Sequence, residues 1–193
     1  MEENLRLDFD NLNRWFLRND LFISSGKTFS LDLSTSHRKF LSNDIFIHSE
    51  NCSPNGDCKI SCFKVTKVTE AVYLGLGVDS CGKHDYHINL LINKLRKMIP
   101  FFYKIKSLLN EKNKLIVYDA MVTSHLRYGI EVYGFAPLYQ IDRLQKIQNK
   151  IVKVLFSKST QYKSSAQLLE EHNILNVIKL RDYCNKTSKL LQY

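Results

Sequence analysis

Near Ser80 of this 193-residue chain the spacing of apolar residues changes from that of strands to that of helices, and that change fixes what the chain can fold into. From Phe29 to about Ser80 the spacing is two. Phe29, Leu31 and Leu33 alternate with polar residues, as a half-buried strand requires. "IFIH" (45–48), "CFKVTKV" and "AVYLGLGVD" read as further strands. From His84 onward the period is that of a helix. Ile88, Leu91, Ile92, Leu95, Met98, Ile99 and Phe102 share one face, in a helix reaching about Leu109 that Pro100 should kink or split.

One helix precedes the strands. Over residues 3–18, Leu5, Phe9, Leu12 and Phe16 recur at helical intervals, and Trp15 widens their stripe. "SENCSPNGDC" (49–58) holds Pro54, Asn55 and Gly56 and reads as a loop or hairpin tip. Three helical stretches follow the first: 112–129, ending at Gly129; 141–158; and one or two more in "SAQLLEEHNILNVIKLRDYCNKTSKLL". The expected fold is therefore α+β, a small antiparallel sheet with an N-terminal helix followed by a basic helical bundle. The boundary falls near Ser80–Lys83, giving regions 1–82 and 83–193.

Charge follows the same division. Residues 1–80 hold 9 Lys/Arg against 11 Asp/Glu, a net of −2, whereas residues 81–193 hold 19 against 8, a net of +11. Such asymmetry suits a polyanionic partner, and equally a solvated lysine-rich surface. The cations are ordered within the helical half. On the 141–158 helix, Arg143, Lys146, Lys150 and Lys153 fall within about 80° of one another, opposite Ile141, Leu144, Ile147, Ile151 and Leu155. Lys97 and Lys104 share the polar side of their own helix. Tyr103, Tyr118 and Tyr128 are candidates for stacking on bases, or core residues.

Several other chemistries are excluded or unsupported. Gly26-Lys27-Thr28 ends like a phosphate-binding loop, but Leu21 stands where that loop needs its first glycine, and a helix precedes it where a strand should. His48, Cys52, Cys58 and Cys62 are separated by three, five and three residues and lack a C-x2-C knuckle, so no metal site is expected. The five cysteines are expected to be reduced. His84, His87, His125 and His172 are scattered, and no nucleophile–base constellation is apparent, so no catalytic residue is assigned. With no signal peptide and no long apolar run, the chain is expected to be soluble and intracellular, in nucleus or cytoplasm, without a membrane partner.

The order of segments carries a resemblance. "DFDNLNRWFLRNDLFISSGKTFSLDLS" resembles the segment that follows the catalytic Tyr-Ala-Asp-Asp box in reverse transcriptases of non-LTR retrotransposons. "VYLGLGVDSCGKHDYHINLLINKLRKM" resembles that family's Tyr-Leu-Gly strand and the start of its thumb helices. "SHLRYGIEVYGFAP" and "DRLQKIQNKIVKVLF" resemble segments further downstream. The resemblance implies the end of a polymerase palm in 1–82 and a thumb with a C-terminal extension in 83–193. It implies Tyr73, Leu74 and Gly75 as a primer grip, and Lys27 near the phosphates of an incoming nucleotide. Taken by themselves, these residues read as a glycine-interrupted strand and a lysine on a solvated turn. Gly77 and Val72 depart from the family, which places an aliphatic residue and often a lysine there.

The implied partners are RNA and DNA as a template-primer duplex, with the remaining polymerase domains if the chain is longer. Polymerisation uses carboxylates that hold two magnesium ions about 4 Å apart. No Asp-Asp pair occurs in this sequence. Magnesium is accordingly expected only for a full-length enzyme, and this chain alone should not polymerise. The competing expectations are a stand-alone nucleic-acid-binding transposon remnant and a remnant without function.

Overall fold

The computed structural model describes residues 2–33, 44–48, 62–157 and 162–190. It is an α+β chain that separates into two compact units, Met1–Ala71 with Asp79–Gly82, and Val72–Val78 with Lys83–Tyr193. The predicted loop at 49–58 lies outside the described residues.

The first unit begins with α1 (Glu2–Arg18) and continues with β1 (Phe29–Leu31), β2 (Phe46–Ile47), β3 (Phe63–Lys64) and β4 (Thr66–Val68). Its strands do not form one antiparallel sheet. β2 and β3 pair antiparallel, with Ile47 opposite Phe63, but β1 and β4 pair in parallel, with Phe29 opposite Thr66. A parallel pair needs a long connection, and the stretch between Leu31 and Thr66 supplies it. The core here is small: Ile45, Ile47 and Val65, with Phe9 and Ile23 packed against them. Of the expected α1 stripe, Phe9 and Phe16 are half-buried, whereas Leu12 is 47% and Trp15 54% exposed.

The run "AVYLGLGVD" is not one strand but two, β5 (Glu70–Tyr73) and β6 (Leu76–Asp79), joined by Leu74 and Gly75. Both turn residues have positive φ, 48° and 79°, the geometry that lets a two-residue turn follow the twist of an antiparallel hairpin. Glycine supplies the second position without strain.

The second unit holds the larger core. α2 (Asp85–Ile105) runs unbroken through Pro100, so the expected split does not occur. Ile99 and Phe102, both buried, hold the helix across the position where proline removes a backbone bond. α3 (Glu111–Tyr118) passes through a π-helical turn, Asp119–Thr123, into α4 (Ser124–Arg127), and Gly129 ends this stretch at φ 69°. α5 (Ile130–Tyr133) is a single turn. α6 (Leu138–Phe156) lies along α2, pressing Leu144, Ile151 and Leu155 into the same cluster as Ile88, Leu95 and Phe102. Each such burial contributes on the order of 1.5–3 kcal/mol. α7 (Ser165–Glu171) starts with a reciprocal capping box between Ser164 and Gln167, and α8 (Val177–Leu190) closes the unit.

Candidate nucleic-acid interface

The packing of α6 on α2 leaves a shallow groove of about 490 Å3 on the polar side of both helices. α6 supplies Lys146, Asn149, Lys150 and Lys153, and the end of α2 supplies Tyr103 and Lys106. Ser157 and Ser165 close one end. Four cations therefore converge on one concavity, and among the described residues none is in an ion pair. The Lys106 ammonium sits 5.1 Å above the Tyr103 ring, whose quadrupole attracts it. Tyr103 remains half-exposed at the rim.

Arg143, the fourth residue of the expected stripe, does something different. It is exposed, but its guanidinium donates to Gln140 Oε1 at 2.6 Å and to Asn89 Oδ1 at 2.7 Å, tying α6 to α2. Lys97 and Lys104 are exposed on α2 but do not line the groove. Lys106 escapes the pattern of the sequence because it caps α2, beyond the regular stripe, and only packing brings it to α6. Of the three tyrosines, Tyr118 is fully buried and accepts a bond from Gln148 Nε2 at 3.0 Å, so it cannot stack on a base. Burial pushes its hydroxyl pKa well up.

Tyr73, Leu74 and Gly75 form the exposed tip of the β5–β6 hairpin, with Leu74 73% exposed. The Tyr128 hydroxyl donates to the Leu74 carbonyl and fixes the tip from α4's end. Gly77 has a packing reason. A Cβ there would lie 2.9 Å from both the backbone nitrogen and Cα of His87 and 2.9 Å from the Tyr86 ring. The Gly77 N–H donates to His87 Nδ1 at 3.1 Å, which places the imidazole proton on Nε2. His87 is thus buried rather than scattered on the surface; burial, and then His84, lower its pKa. A cavity of about 520 Å3 under the hairpin is lined by Gly75, His87, Leu90, Lys94, His125 and Tyr128, among others. Burial, and then Lys94, lower the pKa of His125.

Lys27 is exposed in the turn before β1. Its backbone N–H donates to the Ser24 carbonyl at 3.1 Å, and the Thr28 hydroxyl donates to the same carbonyl at 2.8 Å. Both donors are satisfied within the turn, so they are not directed outward as in a phosphate-binding loop. Among the described residues, no group of three or more His, Cys, Asp or Glu side chains gathers as for a metal ion. No helix among them is long and apolar enough to cross a membrane.

This is an α+β chain whose helical unit carries a lysine-lined groove and whose described residues gather no metal-binding carboxylates. Over 94 residues it is 29% identical to a probable RNA-directed DNA polymerase from transposon X-element of Drosophila melanogaster. The matched part is 47% of this chain and 10% of that protein, so the chain spans about a tenth of the length of the relative it matches. A region of this chain is therefore similar to part of a transposon-encoded RNA-directed DNA polymerase. No family model and no solved structure matches.

Proposed function

We propose that this chain is part of a non-LTR retrotransposon reverse transcriptase, and that it binds an RNA–DNA template-primer duplex through the helical unit. In this reading residues 1–82 are the end of the palm, Tyr73–Gly75 the primer grip, and 83–193 the thumb with its extension. The observation that carries it is the convergence of Lys106, Lys146, Lys150 and Lys153 on one groove, with no carboxylate partner among the described residues. The transposon-polymerase match supports the same direction. Cations placed this way contact phosphates and follow backbone and shape, since phosphate contacts carry no base sequence.

In this reading the magnesium ligands of polymerisation come from other parts of the enzyme. The sequence has no Asp-Asp pair, and the described residues form no metal-gathering group. No catalytic step is therefore assigned to this chain. A transcript with an in-frame upstream extension carrying Tyr-x-Asp-Asp makes it part of a polymerase. A stop codon directly upstream removes the polymerase reading.

The groove is tested by salt. Removing one lysine–phosphate interaction makes the slope of log affinity against log salt shallower by roughly 0.7–0.9. Changing Lys106, Lys146, Lys150 and Lys153 together to Gln keeps helix propensity and leaves the apolar faces intact. The slope should become shallower by about 2–4 for labelled heteroduplex, whatever the base sequence. Circular dichroism checks the fold. An unchanged slope in the folded variant reduces the groove to a solvated surface.

A further inference from the structure

The first unit holds a cysteine, a histidine and a carboxylate in series, which the nucleic-acid reading does not use. The β2–β3 register, extended by one residue, sets His48 opposite Cys62. Cys62 Sγ lies 3.5 Å from His48 Nδ1, and His48 Nε2 lies 3.5 Å from Asp10 Oδ1. α1 fixes the histidine at two points. One helical turn beyond Asp10, buried Asn13 donates its side-chain N–H to the His48 carbonyl at 2.7 Å. The His48 and Asp10 side chains stay about one-third exposed, so a small reagent can reach them. The other charged groups on these ladders are Lys64 and Lys67, which pair with Asp44 at 2.6 and 3.9 Å.

We propose that Cys62 is an activated thiol and a modification site for small electrophiles of the peroxide class. A thiolate is the reactive form of cysteine, and a base held by a third group is the arrangement that generates it. His48 Nδ1 takes the thiol proton, and Asp10, a positioning residue, holds the resulting imidazolium through Nε2–H. The sulfur then attacks one oxygen of hydrogen peroxide. The S–O bond forms as the O–O bond breaks, and the departing hydroxide takes the proton from His48 and leaves as water. Sulfur loses two electrons, the peroxide gains them, and Cys62 becomes a sulfenic acid.

Cys81 is the internal control: it is more exposed than Cys62, and its side chain meets the Ser80 hydroxyl at 3.9 Å. The reduced 193-residue chain is treated with limiting iodoacetamide at neutral pH, and labelling at each cysteine is followed by peptide mass spectrometry. Cys62 should react roughly three- to tenfold faster than Cys81, despite its lower exposure. Hydrogen peroxide with a sulfenate trap should give the same ranking. His48→Gln should bring the Cys62 rate down to that of Cys81. Should that variant unfold, Asp10→Asn serves instead, and the pH profile of Cys62 labelling should move towards that of Cys81. Cys62 labelling no faster than Cys81 overturns the proposal. So does protection of Cys62 that a chelator relieves, because the sulfur is then a metal ligand rather than a nucleophile.

Discussion

Gly77 shows how one missing side chain shapes the molecule. The hairpin reaches the first turn of α2 closely enough for its backbone N–H to bond His87 Nδ1, and any Cβ would meet the helix backbone itself. Backbone atoms cannot rotate away as a flexible side chain can. Gly77→Ala should therefore destabilise the chain by about 1–3 kcal/mol, the usual range for overpacking. Urea unfolding followed by circular dichroism measures this; an unchanged midpoint would mean that the hairpin stands further from α2. Gly75 is constrained differently, by its φ of 79°. The two glycines of "LGLG" thus have separate reasons, and only the one at the turn concerns backbone freedom.

At the scale of elements, the second unit depends on a polar network inside an apolar core. Gln148 on α6 is almost fully buried, donates to the Tyr118 hydroxyl and to the Leu175 carbonyl at 2.8 Å, and accepts from Gln145. Gln145 Oε1 in turn accepts the first backbone N–H of α8, from Val177. This network joins α3, α6 and the start of α8. Gln148→Leu keeps the volume but strands the Leu175 carbonyl, and should reduce stability by about 1–3 kcal/mol. The loss should appear in the melting of the helical unit, and a variant as stable as the parent would show that water replaces the amide.

For the whole molecule, the cationic groove and the exposed apolar face of α1 belong to different units. The cationic groove belongs to the helical unit, whereas the first unit exposes Leu7, Leu12 and Trp15 on α1 and Leu21 and Phe22 just after it. Exposed apolar residues contiguous along one helix face mark an interaction surface or an aggregation liability. The isolated chain should self-associate at high concentration. Leu12→Glu with Trp15→Glu, one turn apart on that face, should raise the monomer fraction in sedimentation without changing the circular dichroism. Equal association of parent and variant would place the sticky surface elsewhere.

The helices, the position of the change from strands to helices, and the face of α6 that carries lysines were legible in the sequence. All three follow from local periodicity, which any window of a dozen residues contains. What the local pattern did not carry was decided by tertiary structure. "AVYLGLGVD" became a hairpin because Leu74 and Gly75 adopt positive φ while β6 docks on α2. β1 and β4 run parallel because strand partners are chosen across the fold. Pro100 stays inside one helix because Ile99 before it and Phe102 after it are buried in the core. Lys106 joined the groove and Arg143 became a tie between helices, since what a side chain meets depends on the neighbouring element. His48 and Cys62, an ordinary pair by spacing, face each other only through the β2–β3 register. Periodicity specifies which face an element buries; it holds no information about which element comes to lie opposite.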